Sequence, residues 1–178
     1  NLLKKFNNKT YKILELGSIC EFSGGSQPPK SNFEYDKNDS NIRFIQIRDY
    51  KSNKNIVYIP VKLAKKFCNK TDIMIGRYGP PLFQILRGIE GAYNVALMKA
   101  IPKKDIINDY LFYFLRNKKI QDYVIKKSIR AAGQSGVNKQ TLEPYKINLP
   151  PIKEQKKIVQ NIKLLEEANN KFEILLKN

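Results

Sequence analysis

Apolar and polar residues alternate over residues 14–22, a period that predicts a strand. The pattern stops at Ser23-Gly24-Gly25-Ser26-Gln27-Pro28-Pro29, a composition that belongs to a loop. Polar residues continue to position 41. Strands are then predicted over 42–47 and 56–59, with a short helix over 61–67. Three more strand-like runs, 73–75, 83–86 and 92–98, are separated by glycine and proline. After Pro102 the period changes. Ile107, Tyr110, Leu111, Phe114 and Leu115 follow helical spacing with Asp105 as a candidate N-cap, and Ile120, Tyr123 and Val124 suggest a second helix. Residues 131–136 read as a flexible loop and 145–149 as a short strand stopped by Pro150-Pro151.

The last segment differs in kind. Residues 154–176 hold no glycine or proline, and Ile158, Ile162, Leu165, Asn169, Phe172 and Leu176 recur at alternating spacings of four and three. Such a stripe is the seam of a coiled coil, with Asn169 as the polar member that sets register and partner number. A helix running from Pro151 to the end would be roughly 40 Å long. That is too long to hide inside the small domain before it, so a partner helix is expected; the alternative is that it folds back onto residues 105–127 as ordinary core. The pattern as a whole predicts an α+β chain. Residues 1–150 form a β-rich domain of mixed and antiparallel strands with a few helices, and 151–178 form one long C-terminal helix of coiled-coil type.

Composition adds a sign to this outline. The 178 residues carry a net charge of +17, of which the first 150 hold +15. A field of that sign favours a polyanion, and nucleic acid is the commonest one in a cell. The competing explanation is a Lys-, Asn- and Ile-rich bias of a low-GC genome. An apolar fraction of 42% suffices for a core, and no run reaches the roughly 18 to 20 apolar residues of a membrane span. The chain is therefore expected to be soluble and cytoplasmic, and Asn1 in place of Met suggests a piece of something longer.

Catalytic chemistry finds little support. Without any histidine, Ser-His and Cys-His nucleophiles and His-bearing zinc sites are excluded, and Cys20 and Cys68 lack CxxC spacing and read as free thiols. Phe22-Ser23-Gly24-Gly25 misses the spacing of a methyltransferase cofactor loop. Leu149 interrupts what would be an amino-methyltransferase motif at Asn148-Leu149-Pro150-Pro151, and Asp72 and Glu90 have no third carboxylate for a metal-dependent nuclease. No catalytic residue, metal or cofactor is expected.

Three stretches carry a resemblance. Arg77-Tyr78-Gly79, then Gly91-Ala92-Tyr93-Asn94-Val95-Ala96-Leu97, then Leu149-Pro150-Pro151-Ile152-Lys153-Glu154-Gln155-Lys156-Lys157-Ile158-Val159 together resemble the specificity subunit of type I restriction-modification systems. The likeness runs from about Tyr11 to the end. It implies one target recognition domain that reads duplex DNA, followed by the family's spacer helix, with modification and cleavage left to methyltransferase and restriction subunits. Family members usually carry two recognition domains and two such helices. One of each here leaves a half-subunit that dimerises, an excised half, or the specificity segment of a fused restriction-methylation enzyme.

Under that resemblance the expected DNA contacts are loop and strand-end side chains. Arg77 suits guanine O6 and N7 or a phosphate, and Tyr78 a phosphate or sugar, on a loop stiffened by Pro80-Pro81; the bland alternative is that Arg77 covers a core edge. Arg43, Gln46 and Arg48 are read as one strand, with Gln46 and Arg48 on a shared face for adenine and guanine, and Asp49 either accepting from cytosine or orienting Arg48. Ser26, Gln27 and Lys30 lie in the first polar loop, and Arg130, Gln134, Ser135 and Lys139 before the last strand. Asn94 is expected inside a strand, satisfying buried backbone. Ile158, Ile162, Leu165, Asn169, Phe172 and Leu176 would pair with a second specificity half or a second copy. The competing classes are an RNA-binding module, suggested by charge and ten tyrosines, and a pure assembly protein built around the last helix.

Overall fold

The computed structural model describes residues 11–130 and 136–176, apart from the side chain of Arg130. Among them, strands form three sheets. The largest antiparallel one has the order β2 (Cys20–Gly24), β9 (Leu97–Pro102), β6 (Ile73–Gly76), β7 (Gln84–Leu86). The second runs β4 (Tyr58–Pro60), β3 (Asn41–Ile45), β8 (Gly91–Tyr93), β5 (Phe67–Cys68), and its central β3–β8 pair is parallel. A two-stranded ribbon pairs β1 (Lys12–Glu15) with β10 (Lys146–Leu149).

The apolar run Ile73-Met74-Ile75 shows why the two larger sheets sit together. Successive side chains of a strand point to opposite faces. Ile73 and Ile75 enter the main core with Phe22, Met98, Leu111 and Leu115, whereas Met74 turns to a second core of Ile45, Cys68, Tyr93 and Leu97. All four residues of β6 are buried, so the strand is a wall shared by two cores. A third cluster of Phe44, Val57, Ile59 and Ala92 closes the far side of the second sheet. Burial drives the thiol of Cys20 up to about 12 and that of Cys68 up to about 11; both cysteines are free, and neither is a thiolate at neutral pH.

Helices cover the outer face of the main core. They are α1 (Leu16–Ile19), α2 (Asn108–Leu115), α3 (Lys118–Arg130), α4 (Lys139–Leu142) and α5 (Ile152–Leu175). The helical spacing read from Ile107 to Leu115 is α2, although Ile107 and not Asp105 occupies its N-cap. Pro151 precedes the first turn of α5, where no backbone N–H is required. At 24 residues, α5 is about 36 Å long.

Several expected elements are divided. The helical turn α1 interrupts the strand expected over 14–22, and the helix expected over 61–67 is a 3-10 turn at Val61–Leu63 followed by β5. The run 92–98 is two strands of different sheets, β8 and β9, separated by a turn at 94–96. β3 ends at Ile45, with Ile47–Tyr50 forming a 3-10 turn. Gln46 and Arg48 therefore do not share a strand face, because Gln46 caps that turn and Arg48 lies within it.

Candidate nucleic-acid interface

The turn between β8 and β9 is the point on which the predicted residues converge. Asn94 is a turn former: its Oδ1 accepts the Ala96 N–H at 3.1 Å, and its own N–H donates to Ile45 O at 3.1 Å. On one flank the first polar loop is stitched to this turn by Gly25 N–H to Leu97 O at 3.0 Å and Ser26 N–H to Tyr93 O at 3.2 Å. Gly25 is obligatory there, since a Cβ would stand 1.9 Å from Asn94 O. The outcome is a groove of about 540 Å³ with Pro28, Pro29 and Phe33 as apolar walls and Gln27, Lys30, Gln46 and Asn94 as polar lining.

The opposite flank is held by Arg77. Its backbone N–H donates to Ala96 O, its Nη1 to Val95 O and its Nε to Val137 O, each at 2.9 Å, while Val137 N–H returns a bond to Arg77 O at 3.0 Å. Two of the five guanidinium hydrogens are thus committed to carbonyls, and the Nη2 end carries no protein partner among the described residues. Tyr78 is 37% exposed, lies under the Arg77 guanidinium at 5.2 Å and covers Gly136. Lys139 opens α4 two residues beyond Val137 and is exposed.

Arg43 and Arg48 gather elsewhere, around Asp49. Its carboxylate is buried and accepts the Gln46 N–H at 3.1 Å, while the Asp49 N–H donates to the Gln46 backbone carbonyl at 3.0 Å. Arg43 Nη2 is 3.9 Å from Asp49 and donates to Asn53 Oδ1 at 3.0 Å. Arg48 Nε is 4.0 Å from Asp49, and its Nη2 donates to Asn55 O at 3.4 Å. Burial raises the Asp49 pKa above the usual carboxylate range, opposed by the Gln46 N–H and the two arginines. A buried carboxylate so placed orients the arginines. Arg48, with a side chain 54% exposed, is the freer of the two.

Ser26, Gln27, Lys30, Gln46, Arg77 and Tyr78 therefore flank one turn, Arg43 and Arg48 adjoin it through the Gln46–Asp49 cap, Lys139 lies two residues past the Val137 that Arg77 holds, and the Arg130 side chain, Gln134 and Ser135 lie outside the described residues. Sequence reasoning missed Asn94 as the pivot and Phe33 as a groove wall. The signal for Asn94 was present, since an Asn within an apolar run also marks a turn.

The long helix is anchored on α2 and the segment before it. Gln155 is fully buried and pins its start: Nε2 donates to Pro150 O at 2.8 Å and Asp105 O at 2.9 Å, and Oε1 accepts Ile107 N–H at 2.9 Å. Further along, Lys163 bonds Asp109, which also takes Arg87 at 2.9 Å, and Tyr113 Oη donates to Glu166 at 2.7 Å. The first half of α5 is thereby docked on α2, as the fold-back alternative anticipated. Beyond Glu166 the helix stands clear, with Phe172 61% and Leu176 68% exposed. Of the expected seam, Ile158 and Ile162 are half-buried, while Leu165, Asn169, Phe172 and Leu176 are exposed.

Among the described residues no group of three or more His, Cys, Asp or Glu is placed to hold a metal, and no helix is long and apolar enough to cross a membrane.

Comparison with known proteins agrees with this architecture. The family model of the type I restriction modification DNA specificity domain matches residues 8–177. The type I restriction enzyme MjaVIII specificity subunit of Methanocaldococcus jannaschii is 26% identical over 94% of this chain and 39% of its own length. The putative MjaX specificity subunit of the same organism is 36% identical over 56% of this chain and 23% of its own. The chain thus spans about two fifths or less of these relatives. The crystal structure of the HsdS subunit from Thermoanaerobacter tengcongensis superposes with a TM-score of 0.69 at 18% identity, over 89% of this chain and 38% of that one. The S subunit from M. genitalium gives 0.63 at 15% identity, over 99% and 44%. At such identities the likeness is one of fold: mixed α and β structure with antiparallel sheets and a long C-terminal helix.

Proposed function

We propose, because the chain belongs to the type I restriction modification DNA specificity domain family, that residues 1–150 read a short run of base pairs in duplex DNA and that 151–178 act as a spacer. The observation that carries the reading is convergence: side chains from three separated stretches flank the single turn at 94–96, on a domain that holds nearly all of the +17 charge. Lysines and arginines would grip phosphates and set the register, while a few side chains held by the stitched loops meet base edges. About three to five base pairs fall within reach of one such module, one half of a bipartite site.

Catalysis is assigned to partners. Methyltransferase subunits would dock along α5, and the exposed seam at Leu165, Asn169, Phe172 and Leu176 would pair with the corresponding helix of a second recognition half or a second copy. Titration of the intact protein with duplex DNA and with single-stranded RNA of equal length, at two salt concentrations, tests the reading. Preference for duplex that persists at the higher salt is the expected result. Equal or tighter binding to RNA contradicts it.

A further inference from the structure

The root of α5 is held mostly by polar side chains. Among the described residues none of its side chains joins the three apolar cores, and only Gln155 and Val159 of the helix are buried. Those two lie one turn apart, about 6 Å along the axis. The other holds are ionic or hydrogen-bonded and lie further out: Lys163 on Asp109, and Glu166 on Tyr113 Oη at 2.7 Å and Arg116 Nη1 at 3.6 Å. Their partners have a firm seat. Arg87, which shares Asp109, and Arg116 both lie against the ring of Phe112, with Cζ 3.8 and 5.1 Å from its centroid, and Phe112 belongs to the main core. Beside the helix a groove of about 400 Å³ is lined by Ile107, Val159 and Leu164 among others, so packing does not brace α5 on that flank.

From this we infer that Lys163 and Glu166 are positioning residues that turn the root of α5 from a pivot into a clamp and so fix the direction of the spacer; the inference rests on the spacer role proposed above. Leverage decides the matter. Leu175, where α5 ends, lies about 30 Å beyond Gln155 along the axis. Ordered side chains keep a positional play of about 1 Å. Across Gln155 and Val159 alone, about 6 Å apart, that play swings the far end of the helix by about 5 Å. Across Gln155 and Glu166, about 16 Å apart, it swings the end by only about 2 Å. Successive base pairs of a duplex are about 3.4 Å apart. The first swing exceeds one base pair and the second does not, so the two distal contacts decide whether the spacer can measure a separation to the base pair. Lys163 and Glu166 do this without touching DNA, through the helix that carries them.

The test places nitroxide labels at Lys62→Cys in the domain and Lys171→Cys near the end of α5, both exposed positions, in the intact protein diluted with unlabelled chains; the two native cysteines are buried. The distance distribution between the labels is then read by pulsed electron resonance. Wild type is expected to give a narrow distribution at low salt that becomes about twofold broader near 1 M salt, where such half-exposed charges are screened. In Lys163→Ala/Glu166→Ala the broad distribution is already present at low salt and no longer responds to salt, while circular dichroism shows the helix intact. Duplexes carrying the selected motif twice, at separations stepped by one base pair, read the consequence: wild type favours one separation, and the variant binds the neighbouring separations equally while selecting the same motif. A variant distribution as narrow as wild type overturns the clamp, as does a broad one that leaves the preferred separation unchanged. If wild type shows no preferred separation, the spacer role proposed above is what fails, and the distance measurement alone still decides the clamp.

Discussion

Arg77 donates its Nε–H to the carbonyl of Val137 at 2.9 Å, across 60 residues of chain. Together with the Nη1 bond to Val95 O, this contact makes the arginine a bracket between the β8–β9 turn and the segment that leads into α4. Removing it orphans two carbonyls that had charged donors. Arg77→Ala is therefore predicted to cost about 1–3 kcal/mol of folding stability in the absence of DNA, measured by denaturant unfolding. It also weakens all duplexes together by loosening two loops at once. Unchanged stability with relaxed discrimination at one base pair would assign Arg77 to base reading alone.

Gln155 fastens the long helix to the domain with three hydrogen bonds from a fully buried side chain. Gln155→Leu leaves Ile107 N–H, Asp105 O and Pro150 O without these bonds, at about 1–3 kcal/mol for each group that stays dry. Amide exchange over 152–166 should accelerate in this variant. Exchange indistinguishable from wild type would show that Val159 and the Glu166 contacts hold the helix without it.

Asp109 links α5 to the sheet through Lys163 and Arg87, and these partners hold its carboxyl below the usual carboxylate range, the Lys163 bond first. A carboxylate with a depressed folded-state pKa contributes stability above its unfolded pKa and loses it as pH falls through the folded value. The stability difference between wild type and Asp109→Asn should accordingly be present at neutral pH and close below the ordinary aspartate range. The size is modest, because a third of the side chain is exposed. A difference that persists unchanged at the lowest pH at which the protein folds contradicts this role.

The free end of α5 gives a separate expectation. Phe172→Glu removes an exposed apolar residue from the seam and should abolish association through the helix without lowering the melting temperature, whereas Asn169→Ile should tighten association and broaden the oligomer states. Sedimentation velocity distinguishes the two. Profiles unchanged in both variants place the partner contact elsewhere.

What could be read from the sequence was local and periodic. Ile73-Met74-Ile75 declared a strand, the 107–115 spacing gave α2, and the glycine-free stripe after Pro151 gave α5. What could not be read depended on partners distant in the chain. Asn94 sits in an apolar run, and only its side-chain bond to Ala96 N–H and the separate pairings of β8 with β3 and of β9 with β6 reveal two strands. Gln46 followed a strand pattern until the cap formed with Asp49 turned the chain. Arg77 advertised a free guanidinium, yet its acceptors lie 18 and 60 residues away. The candidate site was legible as a set of residues, and which of them brace the loops was not.

The central claim, a reader of duplex sequence, is tested most directly by selecting binders from a randomised duplex pool with the intact protein at near-physiological salt. The account predicts enrichment of one short fixed motif per recognition domain, retained when salt is raised. Binding that enriches no motif and disappears with salt would contradict it, leaving only a basic surface.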